Sequence, residues 1–246
     1  GQNNSINIGT MPVLNQHKFD EKRLCHYLES NILQFKGPLT VKEFKGGQSN
    51  PTYQLITPSK KYVLRRKPPG ILLPSAHAVD REYRVITALQ SQNFPVPETY
   101  HLCLDDSIIG TIFYVMDMVE GQIYWNPLLP SLSPKDRLTI YESKIKTLAQ
   151  LHNIDFISIG LESFGKTGNY FERQIYRWSK QYLASESEPI FEMNCLMNFL
   201  KDNVPPDQKL SIVHGDYRLD NIIVCSKTQS IKAVLDWELS TIGSPI

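Results

Sequence analysis

The segment from Ile212 to Val224, IVHGDYRLDNIIV, sets a histidine, two aspartates, an arginine and an asparagine between two short aliphatic runs. Such runs, β-branched and bounded by polar residues, read as two buried strands joined by a polar loop. A chain folded this way holds several charges at strand ends, where chemistry is usually placed on a rigid scaffold. Asp236 closes the next apolar run, IKAVLDWE. Asp216, Asn221 and Asp236 then stand at three strand ends and can converge on one point. Oxygen ligands of this kind suit Mg²⁺, which takes one or two carboxylates and fills its other positions with water and phosphate. Singly, Asp216 and Asp220 read as turn caps; the spacing of the whole set favours a metal site.

The rest of the chain changes its hydrophobic period once. From about Leu39 to Val119, short strand-like runs (PTYQLIT, KYVLRRK, TIFYVMDMV) surround a single helical segment, AVDREYRVITALQ. Beyond GQIYWNPLLPSLSP the period becomes helical. Ser133-Pro134 is a helix start, and Leu138, Tyr141, Ile145, Leu148 and Leu151 follow at three- and four-residue spacing. Two further helices are expected around Tyr170 to Leu183 and Pro189 to Leu200. The boundary falls near Glu120-Gly121: residues 1–120 form a mainly β lobe with an N-terminal helical extension, and residues 121–246 a mainly α lobe with the strand pair 212–224 set into it.

Composition narrows the function classes. Twenty-six basic and 25 acidic residues leave a net charge of +1, so no overall field recruits nucleic acid or an anionic membrane. With 246 residues and 41% hydrophobic content the chain can bury a sizeable core. No apolar run approaches the roughly 18 residues of a membrane span, and the first residues lack the basic and apolar regions of a signal peptide. Cys25, Cys103, Cys195 and Cys225 show no paired C-x-x-C spacing. That disfavours a zinc site and a disulfide scaffold and fits a reducing compartment.

HGDYRLDN followed by LDWE resembles the catalytic loop and metal-binding motif of the aminoglycoside phosphotransferase family of kinase-like enzymes. Through QHKFD, YVLRRKPPG, DREYRV, FPVPE, FYVMD, LAQLH and AVLDWELSTIGSP the chain further resembles the kinase-like half of the large fused acyl-CoA dehydrogenase family members. The resemblance implies an α+β, two-lobed protein-kinase-like fold. It also implies an ATP- and Mg²⁺-dependent transfer of phosphate to the hydroxyl of a small molecule, with a hydroxyacyl-CoA as the suggested acceptor. Asp216 would accept the hydroxyl proton, and Asn221 and Asp236 would hold magnesium. A fused acyl-CoA dehydrogenase domain is the suggested partner, with a mitochondrion or peroxisome as location and the cytoplasm still open. In the resembled family further helices follow, so the C-terminal helices are expected to be missing here. The alternative is a catalytically silent kinase-like module that binds beside a dehydrogenase.

Other residues fit the same scheme. Glu82 shares a helical face with Val79, Val85, Ile86 and Leu89, where an unpaired carboxylate would be costly or protonated. It calls for a cation, and Arg65 stands where kinases place the basic residue that makes this pair and touches phosphate. Many kinases use Lys there, and the planar guanidinium fork binds with a different geometry. Gly46, Gly47 and Ser49 offer backbone N–H groups and a hydroxyl to phosphate, although two glycines before a strand are also an ordinary hairpin turn. By resemblance, Asp117, Met118 and Val119 would present backbone groups to adenine, with Met116 at the back of the pocket. Arg218 reads equally as a stabiliser of the transferring group and as a partner for Asp220. His214 and His152 read as structural. Arg173, Arg177 and Trp178 are offered as an acceptor wall.

Overall fold

A computed structural model describes residues 9–45, 50–70, 78–207 and 209–245. It forms two compact units, one taking in the described residues up to Gln150 with Gly215–Leu239, the other Leu151–His214 with the residues from Ser240 on. Glu120-Gly121, the expected lobe boundary, falls inside the first unit. Gln122 and Val224 exchange two backbone hydrogen bonds of 2.8 Å, so the chain on both sides of Gly121 is tied to the segment that carries Asp216. Gly121 has to be glycine there, because a Cβ would stand 2.4 Å from Ile223.

The first unit is built on a six-stranded antiparallel sheet of order β1-β2-β3-β4-β6-β5. Its strands are β1 (Thr10–Met11), β2 (Thr40–Phe44), β3 (Thr52–Ile56), β4 (Lys61–Arg66), β5 (Thr99–Cys103) and β6 (Phe113–Asp117). Alternation gives the sheet two faces. On one, Val41, Tyr53, Leu55, Tyr62, Leu64, Phe113 and Val115 join Leu24 and Leu28 of helix α1 (Glu21–Asn31) in a closed apolar core. The other face carries Thr52, Gln54, Val63, Arg65, Tyr114 and Met116. Helix α2 (Val79–Gln90) packs against β5 and β6 and buries Val79, Glu82, Val85, Ile86 and Leu89, the stripe read from their spacing.

Helix α3 (Pro134–Asn153) starts as its sequence indicates, with the Ser133 hydroxyl accepting the Asp136 N–H at 3.1 Å. Its buried face agrees with that spacing only in part. Ile140, Thr147 and Leu151 are buried, whereas Leu138 and Ile145 are 60% and 66% exposed. The helix has apolar residues on more than one face, so spacing alone did not select the packed one.

In the second unit, helix α4 (Tyr170–Ser185) packs on helix α5 (Phe191–Asp202), and the Asp207 carboxylate accepts the Tyr170 N–H at 2.9 Å. Strand β7 (Ser211–Val213) does not pair with β8 (Ile222–Val224), contrary to the strand pair read from the sequence. Within the first unit β8 pairs with β9 (Ile231–Val234), and within the second β7 pairs with β10 (Thr241–Gly243). Gly215 turns the chain between them at φ 87°, with the Leu239 carbonyl 2.6 Å from where a Cβ would sit. Among the described residues no helix is long and apolar enough to cross a membrane.

The β8–β9 turn gives Cys225 an unusual thiol. Hydrogen bonds from the Thr228 hydroxyl and from the Thr228 and Lys227 backbone N–H groups favour the thiolate and lower its pKa to about 7. Burial, followed by the Glu29 carboxylate, pushes Cys25 up to about 11. Iodoacetamide is therefore expected to label Cys225 well ahead of Cys25, at a rate that rises as pH climbs through about 7. Peptide mass spectrometry over a pH series measures this; identical profiles for the two thiols would contradict it.

Candidate active site

A cavity of about 800 Å³ lies within the first unit. Its upper wall is the open face of the sheet, and its floor is Ile223, Val234 and the loop ends that carry Asp216, Asn221 and Asp236. Period-two alternation puts Arg65 on this face and Arg66 on the opposite one. Arg65 Nη1 stands 3.2 Å from Glu82 Oε1 and 3.8 Å from Asp236 Oδ1. Asn50 Nδ2 donates to Glu82 Oε2 at 3.4 Å.

Charge at this end is unbalanced. Burial works against charge on Arg65, but Glu82, Tyr114, Asp236 and Glu238 outweigh it and raise its pKa. Burial pushes the Glu82 carboxyl up to about 7 against the pull of Arg65, and it raises Asp236 as well. Two carboxylates, Glu82 and Asp236, lie within 4 Å of this one guanidinium. Among the described residues, Asp236 Oδ1, Arg65 Nε and the Tyr114 hydroxyl are buried without a hydrogen-bond partner. Asp236 also holds a left-handed backbone, φ 59°, which is uncommon outside glycine and clusters at functional sites.

The loop supplies the other half. Asn221 Nδ2 donates to the Asp216 carbonyl at 2.9 Å and to Asp216 Oδ2 at 3.0 Å, and the Asn221 carbonyl accepts from the Leu235 N–H at 2.8 Å. These bonds lock Asp216, Asn221 and the approach to Asp236 into one frame. Phe94 packs edge-on against Trp237, and the Val234 N–H donates to the Pro95 carbonyl, which fixes the far side. Arg218 serves both acids near it, with Nε 2.8 Å from Asp216 Oδ1 and Nη2 3.4 Å from Asp220 Oδ2.

The remaining expected residues fall as follows. Met116, Asp117, Met118 and Val119 line the cavity. The Asp117 N–H is already engaged by the Glu98 carbonyl and its carboxylate by Lys60 at 3.1 Å, while Met118 Sδ accepts from Gln54 Nε2 at 3.0 Å. Gly46, Gly47 and Ser49 lie outside the described residues. Arg173 bonds the Lys166 carbonyl, and Arg177 bonds Gln174 and stacks over Trp178. Tyr114, Gln54 and Glu238 line the cavity too and were not singled out in the sequence. Stepping by two from Met116 and Thr52 along their strands would have found the first two.

Magnesium and a nucleoside triphosphate fit this donor set. Two carboxylates beside one guanidinium, with Asp236 Oδ1 left without a hydrogen bond among the described residues, match the charge and oxygen preference of Mg²⁺. The unsatisfied Arg65 Nε and its fork match phosphate oxygens.

The sequence pattern of the Phosphotransferase enzyme family, APH, matches residues 40–246. The chain belongs to this family. It is 46% identical over 239 residues to human acyl-CoA dehydrogenase family member 11, an alignment that covers 95% of this chain and 31% of that protein. Mouse acyl-CoA dehydrogenase family member 10 is 44% identical, with 96% of this chain and 22% of the relative covered. The chain thus spans about a third or less of the length of these relatives. A solved structure from Ralstonia eutropha, provisionally described as an aminoglycoside phosphotransferase, superposes with a TM-score of 0.83 at 46% identity, covering 93% of this chain and 67% of that one. The streptomycin–ATP–APH(2")-IIa ternary complex superposes with a TM-score of 0.64 at 17% identity, covering 93% and 73%, a likeness of fold. The kinase-like aminoglycoside phosphotransferase fold implied by the motifs is therefore the fold of this family member.

Proposed function

We propose that this chain is an ATP- and Mg²⁺-dependent phosphotransferase that phosphorylates the hydroxyl of a small molecule. The observation that carries the reading is the meeting, in one cavity, of Arg65, Asp236 and the Asn221-tethered Asp216, with Glu82 buried outside the cavity lining as the partner of Arg65. Arg65 binds phosphate oxygens, and Glu82 keeps its guanidinium aimed. Asn221 and Asp236 would hold Mg²⁺, which when bound neutralises charge on the phosphates. Asp216 orients the acceptor hydroxyl and takes its proton as the new O–P bond forms and the bond to ADP breaks. Arg218 shifts from Asp216 toward the transferring group as the acceptor enters.

For the acceptor we infer a hydroxyacyl-CoA or a related hydroxy acid, because the relatives carry the name acyl-CoA dehydrogenase. In longer proteins of that kind a dehydrogenase domain would be the natural partner, in a reducing compartment that suits four free cysteines. A second reading, a silent module that binds beside a dehydrogenase, draws support from Arg218, whose guanidinium occupies Asp216 Oδ1.

Thermal unfolding with and without MgATP tests the proposal. A ligand that binds only the folded state at one hundred times its Kd stabilises by about 2.7 kcal/mol, which for a chain of this size is a rise in Tm of roughly 5–10 °C. No shift at millimolar MgATP would sink the nucleotide reading.

A further inference from the structure

Two charged side chains buried on the far side of the sheet from the cavity are each completed by the segment Gly9–Phe19. Arg66 is 2% exposed, and among the described residues its guanidinium donates to three uncharged oxygens: Nε to the Tyr53 hydroxyl at 3.1 Å, Nη1 to the Ile109 carbonyl and Nη2 to the His17 carbonyl, both at 3.0 Å. The Tyr53 hydroxyl donates in turn to the same His17 carbonyl at 3.0 Å, and Phe19 lies under the guanidinium at 5.3 Å. Glu43 is 3% exposed; its carboxylate accepts the Leu14 N–H and holds His17 Nδ1. The Lys45 N–H donates to the Gly9 carbonyl at 2.9 Å.

These contacts gather at one end of the sheet. Arg66 follows Arg65 on β4, and its N–H donates to the Pro51 carbonyl, which fixes the start of β3 beside Asn50. Glu43 and Lys45 lie at the end of β2, where Lys45 lines the cavity. The opposite end of β4, at Tyr62, lies four residues from Arg66, about 13 Å along the strand. There it meets Asp117 beside Met118. Buried charges left without partners are costly, so removing the segment's contacts would shift the strand ends that carry Lys45 and Arg65 and spare the Met116–Met118 end.

We propose that Gly9–Phe19 is a positioning strap that sets the phosphate end of the nucleotide cavity from behind, with His17 as its hub. The strap precedes residue 40, where the match to the family pattern begins. The inference rests on the nucleotide reading above. His17 is a positioning residue and touches no substrate.

The test is calorimetric titration of the intact chain with MgATP and, separately, with adenosine. His17→Ala strands the Glu43 carboxylate and is expected to weaken MgATP by about tenfold while adenosine affinity stays within about twofold. His17→Ala combined with Glu43→Gln removes the stranded charge and restores MgATP binding. Tyr53→Phe takes away only the hydroxyl between Arg66 and His17, and it is expected to give the same split in a chain whose apolar packing is unchanged. If wild type binds MgATP but both single variants leave it untouched, or weaken the two ligands alike, the strap is ordinary structural support and the proposal is overturned. If wild type binds neither ligand, the nucleotide reading falls and the strap's role with it.

Discussion

Asp216→Asn is expected to slow phosphoryl transfer by about 10²- to 10⁴-fold while MgATP binding stays nearly intact, because the amide keeps the side chain's shape and loses its basicity. The hydrogen bond from Asn221 Nδ2 to the Asp216 carbonyl survives the change, so the loop keeps its frame. Asp236→Asn is expected to act differently. It removes the carboxylate whose buried Oδ1 has no hydrogen bond among the described residues, and with it the charge that would hold magnesium. ATP affinity should fall in the presence of Mg²⁺ and change little in its absence. Single-turnover transfer and ATP titrations with and without Mg²⁺, run on both variants, separate the roles. Lost metal-dependent binding in Asp216→Asn, with Asp236→Asn unaffected, would reverse them.

Arg65→Ala is expected to lose stability and nucleotide affinity together. The pair with Glu82 is almost fully buried, and removing one partner from such a pair costs about 3–5 kcal/mol. Glu82→Gln keeps the shape and chiefly loosens the aim of the guanidinium, so affinity falls further than stability. The Glu82 carboxyl also predicts a pH signature. Its folded pKa, about 7, lies above the ordinary value of 4.5. Its contribution to stability is therefore complete below about 4.5 and is lost as pH rises through about 7. Wild-type stability relative to Glu82→Gln should decline across that window. Denaturant midpoints at several pH values give the comparison, and a flat difference would mean that Glu82 does not titrate there.

How much of this was legible in the sequence depends on the range of the interaction. Local periodicity located α2, α3, α4 and α5 and marked Glu82 as a carboxylate on an apolar stripe. Strand β5 was less visible, because Pro95 and Pro97 precede it and its pairing with β6 shifts register between Thr99 and His101. The partners of β7 and β8 were not readable, since β9 and β10 complete two separate ladders and no local pattern records which strand pairs with which. The packed face of α3 is legible only in part for a related reason: Leu138 and Ile145 point to solvent, and only tertiary contact tells them from Leu151. In the site, motif residues stood out by type. Tyr114 and Gln54 did not, because a tyrosine and a glutamine on buried strands look like ordinary sheet residues until the cavity is seen.

The most direct measurement is phosphate transfer itself. The full-length protein would be incubated with Mg²⁺ and ATP labelled with ¹⁸O in the γ-phosphate, in a mixed pool of hydroxyacyl-CoA, choline and sugar acceptors, and the products read by mass spectrometry. The predicted result is labelled phosphate on a hydroxylated acceptor, absent from the matching compound without the hydroxyl and absent with Asp216→Asn. An unchanged pool, from folded protein that binds MgATP, would contradict transfer and leave a nucleotide-binding module in its place.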